Sequence, residues 1–250
     1  MSSITKASKA AALDQPTELK VFRDFGSTPM AVYIKHTWII KLERFLLFGK
    51  RLNLIVMEQL FILFNGIRKM SPELIAHLRK ILKRKVFKKG EFMLMEGQTS
   101  NYIYFLESGL VRIYHVDRKE VTSWLLPEGH IFMSVSSFFE QHPSYENIVA
   151  LEDCVCWCIS YRELEEALEL FPEFERHHGR ILRNYYGFSE LRRFRLADQD
   201  IFERYAMLEE KEPELLQRVP HNILWTYLQM SDSSFKRARD QYYANKRKGK

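Results

Sequence analysis

The sequence predicts an α+β fold: an antiparallel jelly roll (double-stranded β-helix), then a long helix, then a helical C-terminal unit. Short alternating strands separated by Gly90, Gly97 and Gly109 fill residues 87–114, and glycine permits the positive φ of tight turns. After Tyr161 the apolar residues recur every three or four positions, the period of a helix. Two short helical segments close the chain, near residues 221–230 and 231–243.

The composition is that of an ordinary globular protein with a basic C-terminal end. The chain has 250 residues, of which 46% are hydrophobic and 28% are charged, and its net charge is +6. Between residues 221 and 250 there are seven basic residues against two aspartates, Asp232 and Asp240. A cationic end of this kind is typical of nucleic-acid binding, although solvated basic tails are as common.

Residues 1–56 form an N-terminal extension that we expect to be partly disordered, unless the natural chain begins at Met57. Apolar and basic residues mixed at 32–56 allow an amphipathic helix. The sequence contains no run of 18 apolar residues and its start does not resemble a signal peptide. We therefore expect a cytoplasmic protein with no membrane partner.

Two helices are predicted at 57–85, the second beginning at Ser71-Pro72 with serine as its cap. Eight short strands follow, the number that a jelly roll needs. They are predicted at 86–88, 91–95, 102–107, 110–116, 120–126, 130–133, 145–151 and 153–160. Cys154, Cys156 and Cys158 alternate on one face of the last strand, which favours buried free thiols over a zinc site.

A short helix is predicted at 162–170, with a break at Pro172. The long helix that follows is assigned to residues 171–195. The long helix carries one apolar stripe with four-three spacing: Phe174, His178, Ile181, Tyr185 and Phe188. Such a narrow stripe favours a seam between two copies of the chain. The alternative is that the helix packs on its own roll.

Further helices are predicted at 198–210 and 213–218, before a pair with the form of a helix-turn-helix. Leu224, Tyr227 and Leu228 give the first helix of that pair an apolar face, and the turn falls at 229–230. Ser231 can cap the second helix. That helix directs Phe235 inward and three cationic residues outward: Lys236, Arg237 and Arg239.

Taken together, these segments resemble the Crp/Fnr family of transcription regulators, the cyclic-AMP receptor protein and its relatives. The residues that carry the resemblance are KKGE at 88–91, EGQ at 96–98, YIYFLESGLVRIY at 102–114, ALED at 150–153, RY at 204–205, QRVP at 217–220 and YLQMSDSSFKRAR at 227–239. The resemblance implies a sensor roll at 57–170, a dimerisation helix at 171–195 and a DNA-binding domain at 196–250. The implied function is that of a homodimeric transcription regulator of double-stranded DNA.

The sensor segment departs from the family pattern. Members that bind cyclic nucleotides hold the ribose and the cyclic phosphate with a Phe-Gly-Glu segment and a later arginine, where this chain has Phe132-Met133-Ser134 and Ser144. No arginine or lysine lies between Lys119 and Arg162 to replace the missing cation. We therefore predict an unidentified effector other than cyclic AMP. The expected polar lining of its pocket is Ser134, Ser136, Ser144, Tyr145 and Asn147.

The DNA-binding segment also departs, with Trp225 in place of an alanine and Gln229 in place of the turn glycine. Arg237 is the predicted guanine-reading residue. The remaining predicted DNA contacts are Ser231, Ser233, Ser234, Lys236 and Arg239. The departures leave open an alternative: a dimeric roll that serves as a scaffold or protein-binding module.

Enzymatic chemistry is not expected. The sequence has no cysteine before Cys154 for an iron–sulfur cluster, and no phosphate-binding loop or HExxH motif. A metal-dependent cupin would need clustered ligands, whereas His115 and His130 lack the required spacing. We therefore predict no catalytic residue, no metal site and no cofactor.

Overall fold

The computed structural model describes residues 52–248, with side chains from residue 57 onward. Residues 1–51 of the predicted extension lie outside the described residues, and so does most of the expected amphipathic helix at 32–56. Among the described helices, none is both long and apolar enough to cross a membrane.

Within residues 52–248, eight strands form two four-stranded antiparallel sheets, and each predicted strand overlaps one of them. The first sheet has the order β1-β8-β3-β6 and the second has the order β2-β7-β4-β5. The strands are β1 Lys83–Phe87, β2 Phe92–Leu94, β3 Tyr102–Ser108, β4 Val111–Val116, β5 Glu120–Leu126, β6 Ile131–Phe132, β7 Asn147–Ala150 and β8 Cys154–Ser160.

The core between the two sheets contains the three cysteines. Cys154, Cys156 and Cys158 are buried and free, and burial raises the pKa of each thiol. The expectation of buried thiols on one strand face is confirmed. Gly109 has a φ of +103°, and a Cβ there would lie 2.6 Å from the carbonyl oxygen of Asp153. The β3–β4 turn therefore requires glycine at this position.

Helices α1 (Leu52–Ile67), α2 (Pro72–Ile81) and α4 (Tyr161–Leu170) cover the outer face of the first sheet. The oxygen of Ser71 accepts a hydrogen bond from the backbone N–H of Leu74, as its predicted role as a cap requires. A short helix that we did not predict, α3 (Val135–Glu140), places Phe138 in the same core. Its six residues are too few to show a helical period.

Helix α5 (Phe174–Asp198) runs from these helices past the roll and beyond the predicted boundary at residue 195. Four helices follow: α6 (Ile201–Lys211), α7 (Pro213–Arg218), α8 (His221–Tyr227) and α9 (Asp232–Lys248). They share a core to which the roll contributes Leu110 and Leu125. The α+β class and the antiparallel roll are therefore confirmed, whereas the domain boundaries remain predictions.

The C-terminal helices are docked on the roll by polar contacts, one of them fully buried. The hydroxyl groups of Thr122 on β5 and Thr226 on α8 lie 2.6 Å apart. Arg192 of α5 donates to the backbone oxygens of Thr122 and Tyr227, at 3.3 and 2.7 Å. Arg218 reaches back to two acidic residues of the roll, Glu128 and Glu152.

Candidate functional site

The structure brings two of the five predicted pocket residues together, next to a carboxylate that the prediction missed. Ser134 and Ser144 are buried, with their hydroxyl oxygens 3.0 Å apart. Ser134 donates to Glu146 Oε2 at 3.1 Å, and the Ser144 oxygen accepts from the backbone N–H of Glu146 at 2.9 Å. Burial raises the pKa of Glu146, although the hydrogen bond from Ser134 partly opposes that shift.

The other three predicted pocket residues lie apart from this pair. Asn147 is buried and its side-chain oxygen accepts from the backbone N–H of Glu96, so it holds a turn of the roll. Tyr145 is 57% exposed and its ring lies 6.3 Å from that of His115. Ser136 is half-buried in α3.

A carboxylate therefore occupies the segment in which nucleotide-binding members carry an arginine. An ionised Glu146 would repel a cyclic phosphate, and the serines beside it are already engaged in hydrogen bonds within the chain. The sequence signal was present, because Glu146 follows Ser144 by two positions in PSYEN. Its hydrogen-bond partner Ser134 is twelve residues away, so this contact could be identified only from the folded structure.

Most of the predicted dimer stripe on α5 packs against its own chain, while Tyr185 remains 36% exposed. Phe174 lies in the core beside Phe64, and the ring of His178 lies 5.6 Å from that of Phe139. Tyr185 lies 6.0 Å from Trp124. The two remaining stripe residues also face inward: Ile181 packs against the core of the N-terminal helices, and Phe188 lines an internal cavity.

The opposite side of α5 carries apolar groups in solvent. Tyr186 is 67% exposed and Phe194 is 54% exposed. These two residues are eight positions apart, so they lie close to one face of the helix. Glu190 lies midway between them, so they are two separate exposed apolar side chains rather than a continuous patch.

A cavity of about 260 Å³ lies between the roll, α5 and the C-terminal helices. Its walls are mostly apolar, and Trp124, Ile131 and Phe188 belong to them. Its remaining lining includes charged groups of α5 and α6, Arg192 and Lys211 among them. It adjoins the predicted sensor segment, because Phe132 and Met133 also line it.

Two helices stand where the sequence predicts a helix-turn-helix. Between α8 and α9, Gln229 has a φ of +52°, the left-handed conformation predicted for the turn position. The oxygen of Ser231 accepts from the backbone N–H of Ser234 at 3.1 Å, which agrees with its predicted role as a cap. Trp225 is half-buried and packs against the C-terminal core.

The predicted DNA-contacting residues lie at the cap and in the first two turns of α9, with Arg237 and Arg239 on different sides of the helix. Lys236 and Arg237 are exposed and Arg239 is half-buried, while Phe235 and Ala238 are buried against the C-terminal core. Ser233 is exposed, and its hydroxyl lies 3.0 Å from that of Ser231. Lys236 pairs with Asp232 at 2.7 Å and Arg239 pairs with Asp240 at 3.1 Å. Among the described residues, Arg237 has no such carboxylate partner.

Comparisons with known proteins identify the roll and the fold. Residues 84–170 match the family model described as "Cyclic nucleotide-binding domain". No curated protein sequence matches the chain. Among solved structures, FixK2 from Bradyrhizobium japonicum has a TM-score of 0.56 at 16% identity, over 66% of this chain and 86% of that chain.

Two further structures give the same result. The c-di-GMP responsive global regulator CLP of Xanthomonas campestris has a TM-score of 0.56 at 16% identity, over 70% of this chain and 93% of that chain. A CooA mutant from Carboxydothermus hydrogenoformans has a TM-score of 0.51 at 17% identity, over 71% of this chain and 87% of that chain. The predicted resemblance is thus confirmed: residues 84–170 match the model of the cyclic nucleotide-binding domain, and the chain has a Crp/Fnr-like fold.

Proposed function

We propose that the protein is a cytoplasmic, homodimeric, DNA-binding transcription regulator of the Crp/Fnr type, whose roll responds to a signal other than cyclic AMP. The observation that carries the proposal is the exposed cationic side of α9, which follows a turn and a capped helix start. The sheet orders β1-β8-β3-β6 and β2-β7-β4-β5 further support the jelly-roll topology that we expect for the sensor.

The packing of α9 suits a helix that enters the major groove. Phe235 and Ala238 hold it against the C-terminal core through its inner side. Its outer side leaves Arg237 exposed, with no carboxylate to compete for the guanidinium group among the described residues. A bidentate arginine–guanine contact needs such a group, whereas Lys236 and Arg239 must exchange their carboxylate partners for DNA.

The dimer that we propose uses the exposed side of α5 rather than the predicted stripe. Tyr186 and Phe194 would pack against the same residues of a second copy, as a two-fold interface requires. Sedimentation at micromolar concentration tests this: the double change Tyr186→Glu with Phe194→Glu should yield monomers. Changing exposed Val116 of the roll to Glu is the control and should leave the dimer intact. A dimer that survives the double change would contradict this interface.

The roll is proposed not to respond to cyclic AMP, because Glu146 and the bonded serines occupy its binding segment. Calorimetric titration of the full chain with cyclic AMP should show no saturable binding. Saturable binding of one nucleotide per chain would contradict this part of the proposal.

Selection of bound duplexes from a random pool tests DNA reading. We expect an enriched palindrome, because a two-fold dimer presents two copies of α9 to successive major grooves. The Arg237→Ala variant should enrich a less defined sequence. The matched control is Arg162→Ala, which removes an exposed arginine of the roll.

The alternative function, a scaffold that no longer reads DNA, gains no support from Trp225. This side chain is half-buried rather than exposed beside the turn.

A further inference from the structure

The cavity between the roll and the C-terminal helices is large enough to take a small ligand. Its volume is about 260 Å³. Protein interiors are close-packed, and an engineered apolar cavity of about 150 Å³ is already large enough to hold benzene. At about 30 Å³ per water-sized group, this cavity corresponds to roughly eight or nine such groups.

Much of the cavity lining is apolar. The roll contributes Trp124 and Ile131, α3 contributes Val135, and α5 contributes Ile181 and Phe188. Apolar walls of this kind favour a ligand with an apolar body.

The charged part of the lining is predominantly cationic. Arg192, Arg195, Arg204 and Lys211 contribute four basic groups to the lining, whereas Glu212 and Glu214 contribute two acidic ones. Burial lowers the pKa of Arg195, although the nearby Glu212 partly offsets this effect. Burial likewise raises the pKa of Glu212, although Arg192 and a hydrogen bond from Tyr227 partly offset the shift. Burial disfavours the charged form of both groups, so an anion bound here needs direct contact with the basic side chains to offset its own desolvation.

A polar atom of a lining residue also lacks a partner among the described residues. The side-chain oxygen of Gln199, at the end of α5, is buried and has no hydrogen-bond partner in the described part of the chain. Buried polar atoms are nearly always hydrogen-bonded, so this acceptor points to a missing donor in the cavity. Gln199 lines the same space as Arg195.

We propose that this cavity binds a small amphipathic anion: an apolar body of about eight carbons with a carboxylate held near Arg195 and a hydroxyl or bound water within reach of Gln199. The regulatory consequence rests on the proposed function, because a ligand that bridges α5 and α6 would fix the C-terminal helices against the roll. Binding itself does not depend on DNA recognition.

Calorimetric titration of the full chain with octanoate, 1-octanol and octylamine tests the proposal, since these probes share one body and differ in charge. We expect saturable binding of one octanoate per chain. Octanol should bind at least about tenfold more weakly, because it lacks the charge-assisted hydrogen bond, and octylamine should not bind. Absence of saturable octanoate binding, or equal affinity for all three probes, would overturn the proposal.

Variants locate the site. Arg195→Met should weaken octanoate at least about tenfold and leave octanol unchanged, whereas Arg195→Lys should retain the preference for octanoate. Arg183→Met is the matched control, because Arg183 is exposed on the same helix. Should Arg195→Met fail to fold, Met207→Phe gives the second test: it fills the cavity from α6 and should weaken octanoate and octanol alike. Octanoate affinity unchanged by Met207→Phe would place the ligand elsewhere and overturn the proposal.

The outcomes also separate this inference from the DNA-binding proposal. Octanoate binding by a protein that selects no DNA sequence would leave the site standing and refute the regulator. Sequence-specific DNA binding by a protein that binds no octanoate would do the reverse.

Discussion

Replacing Arg218 with methionine should loosen the docking of the C-terminal helices on the roll. Arg218 ends α7, and its guanidinium group contacts two carboxylates from different turns of the roll. It donates to Glu152 at 2.9 and 2.7 Å and to Glu128 at 3.0 and 2.9 Å. It also donates to the backbone oxygen of Gly109 at 3.0 Å. One side chain therefore joins three loops of the roll to α7.

The expected loss of stability follows from the exposure of these groups. Breaking a fully buried ion pair costs about 3–5 kcal/mol, and breaking an exposed pair costs about 0–1 kcal/mol. The side chain of Arg218 is 22% exposed, and those of Glu128 and Glu152 are 40% and 34% exposed. The two acids regain water when the arginine is lost, so we expect a loss of about 2 kcal/mol, between these limits.

Urea unfolding measures this change, and its pH dependence identifies the cause. Burial alone would raise the pKa of Glu128, but hydrogen bonds from Arg218 outweigh it and the pKa is lowered. A lowered folded-state pKa gives stability that is present above the unfolded value near 4.3 and is lost as the pH falls through the folded value. The difference between wild type and Arg218→Met should therefore be full at pH 7 and shrink below about pH 4.

The control is Arg162→Met, which removes an 87%-exposed arginine paired with Glu166. It should leave the free energy of unfolding essentially unchanged, because an ion pair this exposed contributes little. If Arg218→Met were as stable as this control, or if its deficit were the same at pH 3 and pH 7, the reasoning about the Arg218 contacts would be refuted.

Three further changes have defined expectations. Gln229→Gly should stabilise the protein by about 1 kcal/mol in urea unfolding, because residue 229 has a positive φ. The control is Gln217→Gly in helix α7, which should lose up to about 1 kcal/mol in the same measurement. Gly109→Ala should destabilise the protein by about 2 kcal/mol or more in thermal melts, because the added Cβ would lie 2.6 Å from a carbonyl oxygen. The Cβ added by Gly66→Ala meets nothing within 4 Å, so this control should be neutral or slightly stabilising in the same melts. Glu146→Gln should be at least as stable as wild type at pH 7. The pKa of Glu146 is raised in the folded state, so ionisation of this carboxyl group costs stability as the pH rises. Urea titrations should show the difference in stability between the variant and wild type vanish below about pH 4, where both side chains are neutral.

Much of the roll could be predicted from the sequence because its signals are local. Gly90, Gly97 and Gly109 all have positive φ, so the turns that separate the strands were visible as residue types. The cap at Ser71 and the left-handed Gln229 were also local signals. Helix α3 was missed because six residues do not show a period.

Pairings between distant segments could not be predicted. The stripe on α5 was correctly identified as apolar, but periodicity does not say whether a second copy or the roll covers it. In the structure, Tyr185 packs on Trp124 of the same chain. Likewise, Arg218 contacts acids 66 and 90 residues away, and Glu146 finds Ser134 through the fold.

The affinity ratio between a selected palindrome and its scrambled version tests the account most directly, measured for wild type, Arg237→Ala and Arg162→Ala at one salt concentration. A base-reading regulator should prefer the palindrome by at least about 10³. Arg237→Ala should lower that ratio about fivefold to 150-fold, which corresponds to about 1–3 kcal/mol, while Arg162→Ala leaves it unchanged. A ratio near one for wild type, or one that Arg237→Ala does not alter, would contradict the claim that α9 reads DNA.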